Sequence, residues 1–112
     1  MTKRVRDYEE SLHEALRDPA EAAAYINAHL EQLGEHEDAE KALLLALSDV
    51  MRAHGVGSAA SRAGLQRTNV QRAMSGKTDP RLSTVVKMLG SARLRLAVQP
   101  EARTTVRQRK RA

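Results

Sequence analysis

Six polar side chains crowd a seven-residue stretch: Gln66, Arg67, Thr68, Asn69, Gln71 and Arg72, interrupted only by Val70. Their shared chemistry is planar, multidentate hydrogen bonding. An arginine guanidinium spans O6 and N7 of guanine, and an asparagine or glutamine amide spans N6 and N7 of adenine. Arg67, Asn69 and Gln71 are expected at base edges. Gln66 completes the row, and Thr68 and Arg72 suit either a base or the backbone. Ser58, Ser75, Lys77, Thr78 and Arg81 flank this stretch and suit phosphate oxygens. The pattern is that of a double-stranded nucleic acid reader.

Other chemistry finds little material. The four histidines, His13, His29, His36 and His54, include no pair at the i, i+4 spacing of a helical zinc site, and cysteine is absent. No metal ligand set and no cofactor is expected. His36 between Glu35 and Glu37 reads as a solvated connector. There is no glycine-rich phosphate loop and no nucleophile elbow, so no catalytic residue and no enzyme is expected. Two tyrosines are the only aromatic residues, which argues against a surface that stacks single-stranded bases. The longest apolar run, 42–47, is far too short to cross a bilayer, and no apolar stretch follows the basic N-terminal residues. The expectation is a cytoplasmic protein with no membrane partner.

Charge is distributed unevenly along the chain. Residues 1–50 hold 5 Lys/Arg and 12 Asp/Glu, whereas residues 51–112 hold 14 Lys/Arg and 2 Asp/Glu. The basic half calls for a polyanion, and the acidic half for some other, basic surface. Mutual neutralisation of the two halves is the plainer alternative.

The elements that must position these residues all read as helices. Asp7 and Glu10 have capping-box spacing ahead of Leu12, Ala15 and Leu16. Asp18-Pro19-Ala20-Glu21 repeats the signal, with Asp18 as cap and Pro19 at the first helical position, opening a helix that runs to Gly34. Residues 39–54 form the most apolar helix, after a cap at Asp38 and before Gly55. Leu43, Leu47, Val50 and Met51 make one stripe, and Leu44 and Leu45 widen it, as in a helix buried on two sides. Shorter helices are expected at 58–63, 67–75 and 82–89, punctuated by Gly64, Gly76 and Asp79-Pro80. Leu94, Leu96 and Val98 alternate with mostly polar residues, so residues 94–98 are expected to form one short strand needing a partner.

Within 56–75 the spacing of Ala60, Gly64 and Val70 fits a helix-turn-helix. Ala60 falls where two helices cross, Gly64 where the turn favours a positive φ, and Val70 points inward with Ala59, Ala63, Leu65 and Ala73. Residues 58–90, through Gly64-Leu65, Arg72-Ala73, Ser75-Gly76-Lys77, Pro80-Arg81-Leu82 and Leu89-Gly90, resemble the phage Cro/repressor-type domain. With Asp7-Tyr8, Glu10-Ser11-Leu12, Glu14-Ala15-Leu16, Asp18-Pro19, Glu21-Ala22-Ala23-Ala24-Tyr25, Leu43-Leu44-Leu45-Ala46-Leu47 and Leu94-Arg95-Leu96, the chain looks like the addiction-module antidote proteins, the HigA-like antitoxins. The resemblance spans about residues 7–100. It departs at Gln66, where the family has a Ser or Thr cap, and at Gly57, which replaces a bulkier residue.

The resemblance implies an all-α, lambda-repressor-like helix-turn-helix bundle with an N-terminal helical hairpin and the short C-terminal strand. The expected organisation is an acidic hairpin at 1–37, a DNA-binding domain at 38–100 and a flexible basic tail at 101–112. It implies an autorepressing antitoxin, a homodimer on palindromic operator DNA that neutralises a cognate RelE/ParE-like toxin. Such toxins bind RNA through basic faces, so the acidic hairpin is the expected toxin surface, with Glu10 and Glu14 steering and Tyr8, Leu12 and Tyr25 as anchors. The dimer contact is expected at the strand or on 82–89. A stand-alone phage-type repressor, and an interaction module that no longer reads DNA, are the alternatives.

Overall fold

The computed structural model describes residues 3–101, with side chains from Arg6 onward. Its elements are α1 (Lys3–Leu16), α2 (Pro19–Leu30), α3 (Ala39–His54), α4 (Val56–Ala63), α5 (Arg67–Met74) and α6 (Leu82–Ser91). The start of α2 follows from its sequence: the Asp18 carboxylate accepts the Ala20 N–H at 3.1 Å and Pro19 occupies the first turn. Asp38 stands at the cap position of α3 but makes no side-chain cap bond. Asp7 does not cap at all, because α1 begins four residues earlier at Lys3 and carries Asp7 inside the helix. α2 ends at Leu30, short of Gly34, and residues 31–34 follow as turns rather than helix.

α3 is the spine, packing against α1 and α2 and also against α4 and α5. Ala46, Leu47, Ser48, Val50, Met51 and Ala53 are all buried, which covers most of its circumference. A single apolar cluster joins Leu16 and Ile26 of the acidic helices to Val70, Met74, Met88 and Leu89 of the basic half through Leu47, Val50 and Met51. Burying each such Leu, Met or Val contributes about 1.5–3 kcal/mol, so the halves of opposite charge stabilise one another through shared apolar area. Tyr25 ties α2 to α3 with a hydroxyl that donates to Asp49 Oδ2 at 2.7 Å.

The expected strand is absent: among the described residues every regular element is helical, and 94–98 is irregular. Leu94 instead closes α6. Its N–H bonds the Leu89 carbonyl at 2.9 Å and its side chain packs on the core, whereas Val98 is 98% exposed. One anchored residue followed by solvated ones reproduces an alternating pattern without any ladder, since a strand needs a neighbour to pair with. Apart from Glu101, the basic tail with Arg103, Arg107, Arg109, Lys110 and Arg111 lies outside the described residues.

Candidate nucleic-acid interface

α4 and α5 are joined by three residues, Gly64 to Gln66, and the joint is tight for steric reasons. Ala59 and Ala60 are buried, so α4 presents no side chain larger than a methyl at these two core positions. Gly64 adopts φ 72°, and the Leu65 N–H then bonds the Ala60 carbonyl at 2.9 Å, closing α4 with a left-handed residue that glycine adopts freely. Leu65 packs against the core just behind the turn.

α5 divides cleanly into two faces. Val70, Ala73 and Met74 are buried, while Arg67, Thr68, Asn69, Gln71 and Arg72 are exposed. Gln66 is exposed too, at the cap position, where its side chain makes no cap bond and stays available. All six side chains of the expected base-reading row therefore lie on the solvent side. Arg67 has a further feature: its Nη1 lies 3.8 Å from where a Cβ on Gly57 would stand. The guanidinium rests over the first turn of α4, which the glycine at Gly57 leaves low.

The phosphate set is more varied. Lys77 and Arg81 are exposed. Ser75 Oγ donates to the Arg72 carbonyl at 2.8 Å and accepts from the Lys77 N–H at 3.1 Å, and Thr78 Oγ1 donates to the same carbonyl at 3.4 Å. These hydroxyls fold the loop after α5 back onto its end, which sets where Lys77 stands. Ser58 Oγ accepts from Arg62 Nη1 at 3.1 Å, so it points to its own helix neighbour. The loop is held from behind as well, because a Cβ at Gly76 (φ 76°) would lie 3.5 Å from Lys41 Cγ of α3.

Between α5 and α6 lies a polar groove of about 490 Å³ that brings together Asn69, Arg72, Thr78 and Arg81. Ser83, Thr84 and Lys87 share it, and these were not among the sequence candidates. Their signal was present in the polar positions that alternate with Leu82, Val85 and Val86, but only the fold turns them towards α5. One carboxylate, Asp79, also lines the groove, and the two arginines and one lysine outweigh it, so with its hydroxyls the groove suits a polyanion backbone.

The five acidic-half candidates are not one patch. Glu10 and Glu14 are exposed on α1, and Tyr8, 68% exposed, lies on another side of the same helix. Leu12 and Tyr25 are half-buried against the core, and the Tyr25 ring also meets His29 edge-on at 5.3 Å. Burial, then the hydrogen bond to Asp49, raises the Tyr25 phenol well above its usual range. Among the described residues no group of three or more His, Cys, Asp or Glu is placed to hold a metal, and no helix is long and apolar enough to cross a membrane.

Residues 8–100 match the family model described as "Probable addiction module antidote protein". An uncharacterized protein of Haemophilus influenzae (strain Rd) is 31% identical over 99 residues, covering 88% of this chain and 95% of that protein. No solved structure matches.

Proposed function

The chain belongs to the family of probable addiction module antidote proteins, and from that premise we propose that it is the antitoxin of a type II toxin–antitoxin module. In this reading it is a HigA-like antidote that neutralises a RelE/ParE-like toxin and represses its own operator. The α4–turn–α5 unit serves as a helix-turn-helix of the Cro/repressor type, with α5 entering the major groove. One observation carries the DNA half: the solvent face of α5 and its cap residue Gln66 together hold six side chains capable of base contacts, and the inner face of α5 holds only Val70, Ala73 and Met74.

Lys77 and Arg81, with the newly placed Lys87, contact phosphates on either side of that helix. Two copies bind a palindrome with half-sites about one helical turn apart. The exposed apolar side chains Leu82, Val86, Leu96 and Val98 supply the area for the two-fold contact. The hairpin of residues 1–37 holds the toxin through Tyr8, Glu10 and Glu14, with Leu12 and Tyr25 keeping that face rigid. Residues 38–100 read DNA, and the basic tail adds contacts to phosphates without sequence preference.

Co-expression tests the antitoxin half. The open reading frame beside this one, induced alone, arrests growth, and co-expression of this chain restores it. Growth arrest that this chain leaves untouched contradicts the reading. A neighbour that encodes no toxin leaves the stand-alone repressor as the better account.

A further inference from the structure

A notch of about 750 Å³ opens where the C-terminal ends of α1, α3, α4 and α6 meet, with Pro19 at the start of α2 also lining it. Arg17, Arg62 and Arg93 line it together with His54, and no carboxylate does. Arg17 Nε donates to the Ala53 carbonyl, and Arg62 Nε to the Ser91 carbonyl, each at 3.1 Å. These bonds fix two guanidinium groups and leave each with further N–H donors. His54 Nε2 is enclosed without a hydrogen-bond partner among the described residues.

The backbone at Arg93 adds an independent observation. Its φ is 66°, and the only other positive φ values among the described residues belong to glycines. The Arg93 N–H bonds the Gly90 carbonyl at 3.0 Å and the Leu94 N–H bonds Leu89 at 2.9 Å, the closure that Gly64 makes after α4. Glycine is favoured at such a position, yet Arg93 adopts it and its side chain lines the notch. Neutralising helix ends does not account for all three cations. Four C-termini, those of α1, α3, α4 and α6, bring roughly half a negative charge each, which leaves about one positive charge over.

We propose that this notch binds a dianionic phosphate group, as inorganic phosphate or as the terminal phosphate of a small phosphomonoester. Forked guanidinium donors match tetrahedral phosphate oxygens, and three of them suit a dianion better than the single charge of a carboxylate or phosphodiester. Burial and then Arg62, Arg17 and Arg93 hold the His54 ring below its usual pKa. A bound dianion offsets most of that positive potential and gives the enclosed Nε2 an acceptor when protonated.

The test titrates the full chain at pH 7.5 and constant ionic strength with inorganic phosphate against sodium chloride, using calorimetry and imidazole NMR. Saturable binding with a raised His54 pKa is expected. Arg93→Gly is expected to weaken phosphate at least about tenfold, as loss of a charged hydrogen bond does. The same variant keeps or raises the melting temperature, because glycine suits the backbone there, so lost binding cannot be lost folding. Arg6→Gln, an exposed cation elsewhere on α1, leaves the affinity unchanged. Adenosine monophosphate binding more tightly than phosphate identifies a phosphomonoester as the source, and equal affinity identifies the free anion. Non-saturable binding, an unmoved His54, or equal losses in Arg93→Gly and Arg6→Gln means an adventitious ion only and overturns the proposal. No DNA is present in this experiment, so its outcome is separate from the operator reading.

Discussion

Arg67 and Lys77 are both exposed cations within the same short region, yet they are assigned different work. Arg67 opens α5, where a forked donor can span a guanine edge, whereas Lys77 sits in the following loop as a flexible point charge. Arg67→Ala and Asn69→Ala are therefore expected to cost about 1–3 kcal/mol each on the operator and little on random duplex. Lys77→Ala weakens both duplexes alike and makes the salt dependence shallower by about one unit of slope. Competition anisotropy with the two duplexes separates these patterns, and equal losses for Arg67→Ala on both contradict base reading. A second residue-scale expectation concerns His54, whose pKa is lowered by burial and by Arg62, Arg17 and Arg93. The unfolded chain takes up a proton on this ring before the folded one does. Stability is thus fully present above about pH 6.5 and falls as pH drops from there through the lower folded value. Urea midpoints at pH 7.5 and 5.5 are expected to fall further for the wild type than for His54→Gln, at a phosphate-free buffer composition.

At the scale of elements, the joint between α4 and α5 makes the sharpest demands on side-chain size and backbone angle. An added Cβ at Gly64 meets nothing within 4 Å, but φ there is 72°. Gly64→Ala is accordingly a purely conformational loss, about 1–2 kcal/mol by urea denaturation, with no overpacking. Ala60→Leu acts the other way. Ala60 is 2% exposed, so extra methylenes force α4 and α5 apart at about 1–3 kcal/mol and tilt the base-reading row. The Gly64 turn and the burial of Ala60 were legible in the sequence, because glycine at a turn and alanine on an inward position carry a plain steric meaning. The bounds of α3 were legible too, since Gly55 and the polar connector before Ala39 frame a stretch whose apolar residues recur at helical spacing. The 94–98 segment was not, because local alternation cannot reveal whether a second strand exists to pair with. The helical spacing of Asp7 and Glu10 misled for a related reason: a capping box is also an ordinary pair inside a helix. The Arg17, Arg62 and Arg93 notch left no local trace at all, for its members come from three distant parts of the chain and meet only through the packing of α1, α4 and α6.

Across the whole molecule, charge separation survives folding while the core does not divide with it. The acidic hairpin and the basic half share α3, so the two faces are held at a fixed relation by buried Leu47, Val50 and Met51. That arrangement predicts separable electrostatics on one rigid body. Glu10→Lys combined with Glu14→Lys slows association with the toxin at low ionic strength by stopped-flow, with a smaller change in the dissociation rate, and leaves operator affinity nearly unchanged. Dimerisation is tested at the same scale by sedimentation of a chain ending at Arg95, which retains the Leu94 closure of α6. A dimer that persists places the two-fold contact on Leu82 and Val86, and its loss places it on Leu96 and Val98. The central claim is that α5 reads operator DNA, and the most direct measurement is a titration of the full chain against its own promoter duplex and a shuffled duplex of equal length, at several salt concentrations. The account predicts at least about a thousandfold preference for the promoter at physiological salt, with affinity for both duplexes falling steeply as salt rises. Equal affinity for the two sequences at every salt concentration contradicts it.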